Sequence, residues 1–292
     1  MTECVLSRRT AERLVEIATM APSMHNSQPW RFVVRRDDRA IEVYADPART
    51  LSHGDPRGRA VHIACGAALF NLRLAIAHAG AEPIARLLPE RRNPLLLGSV
   101  RLAGRYRARP AERDLYAAIQ HRQLTREQLS RHDVPRRVLA ALVEAATLEG
   151  ASLRILDQGS ALRILNLAVA ADHQLRNPEA HPHLALLCSR SDDRASWLRI
   201  GQTMQRVLLL AAHHGVPASP LTPVLELPAA PLRYDPVFAG QHPEMLLRLG
   251  TGPATPPAPR RPVWQTLRMI PPCRMGDDES PPQVSHPALV AH

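Results

Sequence analysis

The feature that most limits how this chain of 292 residues can fold is its similarity to itself. Displaced by 128 positions, Leu14-Val15-Glu16-Ile17-Ala18-Thr19 lies over Leu142-Val143-Glu144-Ala145-Ala146-Thr147, with five of six residues identical. Displaced by 135, Gly66, Leu74, Ala77, His78 and Gly80 fall on Gly201, Leu209, Ala212, His213 and Gly215. Either match alone is what an Ala- and Leu-rich chain produces by coincidence. Two in the same order, with offsets that differ by a loop-sized seven residues, point to two diverged copies of one unit. Such a chain folds as a pseudo-symmetric dimer in one polypeptide, each half burying its apolar face on the other. The boundaries read as residues 1–110 for the first half, 111–267 for the second, and a disordered tail over 268–292, where Arg274-Met275-Gly276-Asp277-Asp278-Glu279 precedes further prolines.

Hydrophobic spacing supplies the elements. Leu14, Ile17, Ala18 and Ala21 follow a helical stripe that Thr10 can cap and Pro22 ends. Residues 31–35 and 41–45 read as a hairpin around Arg36-Asp37-Asp38-Arg39. Residues 59–79 form a long helix that stops at Gly80, and a strand follows around 100–103. After Pro110, helical signals recur at 111–120, 136–149, 160–176 and 196–214, with short strands at 153–156 and 245–249, so helices are expected to outnumber strands. Of the 28 prolines, 17 lie from Pro217 onward, which argues against regular helix or central sheet there.

Composition excludes several classes. With 45% hydrophobic residues the chain can bury a sizeable core, so whole-chain disorder and disulfide scaffolds are out. All 37 basic residues are Arg, with no Lys, a pattern typical of a G+C-rich genome. The net charge of +10 raises phosphate-bearing partners. The excess is N-terminal, 24 Arg facing 16 acids in residues 1–150, yet it is scattered and lacks interleaved aromatics, which disfavours a nucleic-acid surface. Cys4, Cys65, Cys188 and Cys273 are far apart, with neither zinc nor disulfide spacing, and a reducing cytoplasm fits them. Met1-Thr2-Glu3-Cys4 leads into no apolar stretch, so no secretory signal is expected. The longest uncharged run, 207–225, is broken by His213, His214, Gly215, Pro217, Pro220 and Pro223 and cannot span a membrane. His181-Pro182-His183 and His213-His214 lack partner carboxylates, so no metal is expected. Gly250-Thr251-Gly252 runs into prolines instead of a helix and is no dinucleotide loop.

The segment from Ala21 to Phe32 carries the chemistry. It joins a helix end to a strand through Ser23, Asn26, Ser27 and Gln28, held between Pro22 and Pro29. Read by itself, it is either a loop that presents amide and hydroxyl groups to a planar heterocycle or a connection whose polar groups cap its neighbours. Ala21, Pro22, Ser23, Asn26, Gln28, Pro29 and Trp30 resemble the A-P-S-x-x-N-x-Q-P-W signature of the FMN-dependent nitroreductase superfamily. The resemblance continues in Asp55-Pro56, Arg59, Cys65 to Leu69, Arg206 to Leu209, Ala218 to Thr222 and Arg248-Leu249-Gly250, and is strongest to the Acg-like branch of two fused halves.

That resemblance implies an α+β, three-layer fold, a mixed or antiparallel sheet flanked by helices, in two pseudo-symmetric halves. It implies FMN as cofactor and NADH or NADPH as hydride donor, with a nitroaromatic or quinone as acceptor and no side-chain nucleophile. Site residues carried over are Pro22, Ser23, Asn26 and Gln28 in the loop, and Ser219 in the 215–222 loop near the ring. Arg122, Thr125 and Arg126 in QHRQLTR resemble the R-R-[ST]-x-R phosphate motif, with Leu124 where the branch has Thr. Arg260 matches the Arg of a terminal K-x-R; Ala258 stands in place of its Lys, and Arg261 can replace the lost contact. The second half lacks a counterpart of residues 22–30, passing from Gly150 to Leu153, so one flavin per chain is expected. The oligomer is expected to be a monomeric pseudo-dimer or a homodimer. A flavin-holding protein without turnover and an Arg-rich nucleic-acid module are the alternatives.

Overall fold

A computed structural model describes residues 6–35, 39–50, 55–122, 134–161, 183–221, 240–250 and 258–270. Helix α1 (Arg8–Thr19) buries Ala11, Leu14, Val15 and Ala18 along one stripe and turns Arg8 and Arg9 to solvent. Its cap is Ser7, whose Oγ accepts from the Thr10 amide at 3.1 Å, and not Thr10, which lies inside the first turn. Strands β1 (Trp30–Arg35) and β2 (Ala40–Ala45) form the expected antiparallel hairpin. Helix α2 (Arg59–His78) is apolar enough and long enough to cross a membrane, at mean hydropathy 1.6, but 94% of that window is buried within the protein. It is apolar all round because every side is covered.

Strands β3 (Ala81–Leu87) and β4 (Leu96–Arg105) complete the first run, and α3 (Pro110–His121) crosses α2. The second run comprises α4 (Arg136–Leu148), β5 (Ser152–Ile155), β6 (His183–Ser189), α5 (Arg194–His213), β7 (Ala218–Leu221) and β8 (His242–Leu249). A short helix α6 (Val263–Thr266) and strand β9 (Leu267–Ile270) end the described chain. The first sheet has the order β3-β4-β2-β1-β9, antiparallel except for β9, which runs parallel to β1. The second is antiparallel throughout, in the order β5-β6-β8-β7. Read from β7, it matches the β3-β4-β2-β1 order of the first, and α1 and α4, α2 and α5 occupy the same places in their runs.

Helix α2 packs on the strands of the first sheet, α5 on those of the second, and the two helices pack on each other, so the helical layer joins the sheets. The seam is tight. A Cβ on Gly66 would come closer than 3.0 Å to the carbonyl of Leu198, and one on Gly201 equally close to the carbonyl of Ile63. Each glycine thus meets the counterpart, 135 positions away, of the residue that faces the other. Toward the helix starts, Arg194 Nε donates to His62 Nε2 at 2.9 Å while Arg59 lies 5.7 Å over the Trp197 ring, again a pair of residues and their counterparts. Further along, buried Gln205 donates to Asn71 Oδ1 at 2.7 Å, and Glu149 accepts from Arg73 (2.7 Å) and Arg206 (2.9 Å).

Three expectations need correction. Among the described residues nine strands stand against six α-helices; the helix expected at 160–176 lies largely outside them. Strands such as β6 (HLALLCS) are unbroken apolar runs of Leu and Ala, which periodicity cannot distinguish from buried helix. The proline-rich region does reach the middle of a sheet: β8 is an inner strand whose Pro243 sits by a register shift at its start, and Pro220 lies on β7 at the sheet edge. Arg268 to Ile270, expected to belong to the tail over 268–292, instead pair with Val33 to Arg35, and the rest of that range lies outside the described residues.

Candidate functional site

The loop between α1 and β1 is a 3₁₀ turn over Met24–Asn26, entered through buried Pro22. His25, Asn26 and Gln28 have φ of 49°, 54° and 49°, in the left-handed region that Asn tolerates and Gln rarely occupies. Ser23 stabilises this path by accepting from the Gln28 amide through its Oγ at 2.9 Å. The Pro29 carbonyl accepts from the Asp46 amide at 3.0 Å, and Trp30 is fully buried. Such a backbone persists only where its surroundings over-determine it, and it clusters at functional sites.

Residues 258–270 supply the surroundings. Asn26 Nδ2 donates to the Pro259 carbonyl (3.0 Å), and Arg260 Nη1 donates to Asn26 Oδ1 (3.2 Å). The Arg261 amide donates to Gln28 Oε1 (2.9 Å), and Arg261 Nη1 donates to the Gln28 carbonyl (3.2 Å). Arg260 Nη2 and Arg122 Nη2 both donate to one acceptor, the Met20 carbonyl, at 3.2 and 2.9 Å. Sequence separations above 100 residues vanish here, because the chain end returns to the first half.

Arg122 is buried, and its Nε and Nη1 have no acceptor among the described residues; the Nε of Arg260 is in the same state. Burial, then the neighbouring Arg260, lowers the Arg122 pKa to about 9, and burial lowers that of Arg260. Two adjacent guanidinium groups with orphaned buried N–H groups and, among the described residues, no carboxylate between them match a phosphate dianion, which accepts many charge-assisted bonds. The residues present therefore fit the phosphate of a flavin mononucleotide. On the loop's other side, buried Asp46 bonds Arg31 (2.7 Å), sits 3.6 Å from Arg261, and Arg49 Nη1 donates to the Ser27 carbonyl (3.0 Å).

Of the residues singled out in the sequence, Pro22, Ser23, Asn26, Gln28, Arg122, Arg260 and Arg261 come together at this loop. Asn26 and Gln28 bond the 258–261 segment through their amides, so they position the arginines. Thr125 and Arg126 lie outside the described residues. Ser219 is buried on β7, in register with Arg248, and among the described residues no hydrogen bond or ion pair joins it to the loop. Sequence reasoning missed the Met20 carbonyl, Asp46, Arg31 and Arg49. The first is backbone and carries no residue-type signal; these arginines are two among 37 until the fold gathers them.

A model of the Nitroreductase family matches residues 3–54, a range that contains this loop. A Mycobacterium tuberculosis protein named as NAD(P)H nitroreductase Rv3131 is 26% identical over 317 residues, which cover 88% of this chain and 91% of that protein. Another from the same organism, named as NAD(P)H nitroreductase acg, is 34% identical over 100 residues, 34% of this chain and 30% of its own length. Among solved structures, a protein of Anabaena variabilis named as a nitroreductase superposes with a TM-score of 0.63 at 11% identity, over 84% of this chain and 88% of that one. The fold agrees with the α+β architecture expected from the signature loop, and the sequence matches agree with the loop itself: over residues 3–54 the chain is similar to the Nitroreductase family, and over most of its length to a protein named as an NAD(P)H nitroreductase.

Proposed function

We propose that this chain is an FMN-dependent oxidoreductase that takes hydride from NAD(P)H and delivers it to an electron-poor small molecule such as a nitroaromatic or a quinone. The observation that carries this reading is the pair Arg122, buried, and Arg260, half-buried, side by side on the Met20 carbonyl with orphaned N–H groups and, among the described residues, no acid between them. The relative that aligns over most of its length, named as an NAD(P)H nitroreductase, supports the choice of donor. FMN supplies the hydride chemistry when bound. The chain's own residues hold and orient it. Arg122 and Arg260 bond the phosphate, Asn26 and Gln28 fix Arg260 and Arg261 in place, and the left-handed loop between Pro22 and Pro29 sets their common orientation.

The reading also includes two diverged halves with one flavin between them. Its support is the matching element order of the two runs and the reciprocal contacts of Gly66 and Gly201. The 22–30 loop has no counterpart after Gly150, so FMN binds once per chain.

The test is spectroscopic. Purified protein saturated with FMN should retain one equivalent per chain on gel filtration, and anaerobic NADPH or NADH should bleach the flavin absorbance within seconds to minutes. Retention of FMN without bleaching by either nucleotide over many minutes would reduce the protein to a flavin holder. Failure to retain FMN at all would overturn the reading.

A further inference from the structure

Residues 258–270 form a strap that returns from the second half to the first sheet, and three observations make its docking conditional. Its strand β9 has four residues and pairs on one side only, with Phe32 to Arg35 of β1, at the sheet edge. Its apolar contribution is divided: Thr266 is buried and Val263, Leu267 and Met269 pack on the core, while Trp264 remains 75% exposed. Its docking also places the Arg260 guanidinium beside that of Arg122, on a shared carbonyl and, among the described residues, without a carboxylate. The bonds through Asn26, Gln28 and Asp46 favour docking, and the like-charge pair of buried Arg122 and half-buried Arg260 opposes it.

We infer that an anion bridging Arg122 and Arg260 is what holds the strap down, so that filling the phosphate site and pairing β9 with β1 are one equilibrium. The identity of the anion as the FMN phosphate rests on the function proposed above; the coupling does not. A dianion turns the repulsive pair into two charge-assisted contacts and fills the orphaned donors only when Arg260 is in place. By reciprocity, whatever factor the docked strap adds to anion affinity, the anion adds to strap docking. The strap therefore governs retention of the cofactor, and a phosphate-free flavin leaves it loose.

Hydrogen exchange of the full-length protein, followed by mass spectrometry, reads this directly. Amides of residues 263–270 are compared in anion-free buffer, with inorganic phosphate, with FMN and with riboflavin, and those of β6 and β8 report global folding. The expected result is that phosphate and FMN each slow exchange of the strap about tenfold or more, the equivalent of roughly 1.4 kcal/mol, while β6 and β8 are unaffected. Riboflavin should do nothing. In Arg122→Gln, which removes the repulsion, the strap should be protected without any anion. Identical strap exchange with and without bound FMN would overturn the coupling and leave the flavin reading intact. Protection by phosphate from a protein that takes up no FMN would uphold the coupling and remove the flavin reading. Protection by riboflavin equal to that by FMN would also overturn the proposal, since ring contacts would then hold the strap.

Discussion

At the scale of single residues, the clamp is defined by what its arginines lack. Among the described residues, Arg122 and Arg260 have hydrogen-bond capacity left over and no counter-charge, which in a buried setting is costly unless a ligand completes it. Replacing Arg122 or Arg260 with Ala should weaken FMN retention by roughly 1.5–3 kcal/mol each, measured as the dissociation constant by fluorescence titration. Unchanged affinity in both variants would remove them from the site. Acidity supplies a second check. Burial and the neighbouring Arg260 lower the Arg122 pKa from its ordinary value, and a bound dianion favours the cation instead. His62 titrates at the other end of the range. Burial lowers its pKa, and its Nε2 accepts from Arg194, so the folded state resists protonation more than the unfolded chain does. As pH falls below the ordinary histidine value of about 6.5, the unfolded state takes up the proton first and stability declines. In His62→Gln, that part of the decline should disappear from urea-melt midpoints.

At the scale of elements, glycine decides how the central helices meet. Gly66 of α2 and Gly201 of α5 let each backbone approach the carbonyl of the other helix, and no side chain could move aside to admit a Cβ, since the atoms met are backbone. Gly66→Ala and Gly201→Ala should each destabilise by about 3 kcal/mol or more in urea unfolding, at the upper end of overpacking effects. Gly98→Ala, which meets the flexible end of Leu69, should cost less. Elements with strong periodicity were legible: α1, α2, α3, α4 and the β1–β2 hairpin lie where the spacing puts them. β3 was not, because Pro83 interrupts it and its short pattern carries no alternation; it pairs only because β4 offers an edge. The Ser7 cap was missed for a different reason. Ser7 and Thr10 can both cap, and only the backbone path at Ser7 chooses between them.

At the scale of the whole molecule, the seam between α2 and α5 is apolar and close-packed at its middle and polar toward its ends. Glu149, 7% exposed, bonds Arg73 and Arg206 from the two central helices and so ties α4 to both. Glu149→Ala leaves two partly buried arginines without their carboxylate, Arg73 keeping only Gln202 Oε1 (2.7 Å) as acceptor among the described residues, and should cost about 3 kcal/mol, seen as a lower midpoint in a urea melt. A midpoint equal to that of the parent would make the triad a surface feature. Toward the opposite end, Asp192 joins Arg57 (2.9 Å), Arg59 (3.4 Å) and Trp197 Nε1 (2.9 Å), with Glu244 accepting from Ser189 beside it. This network brings Arg59, which the resemblance had marked, into the packing between sheets and not into the clamp.

The amino-acid sequence alone determined the helical stripes, the first hairpin, the signature loop and the 135-residue correspondence of Gly66 and Gly201, because each is written in the order and spacing of residue types over a short window. Only the tertiary structure decided that Arg122 and Arg260, already marked by their motifs, share the Met20 carbonyl, that Asn26 and Gln28 bond the strap, and that residues 267–270 complete the first sheet. Those facts depend on contacts across more than 100 residues of chain, where burial and charge act through distance in space and leave no trace in local pattern.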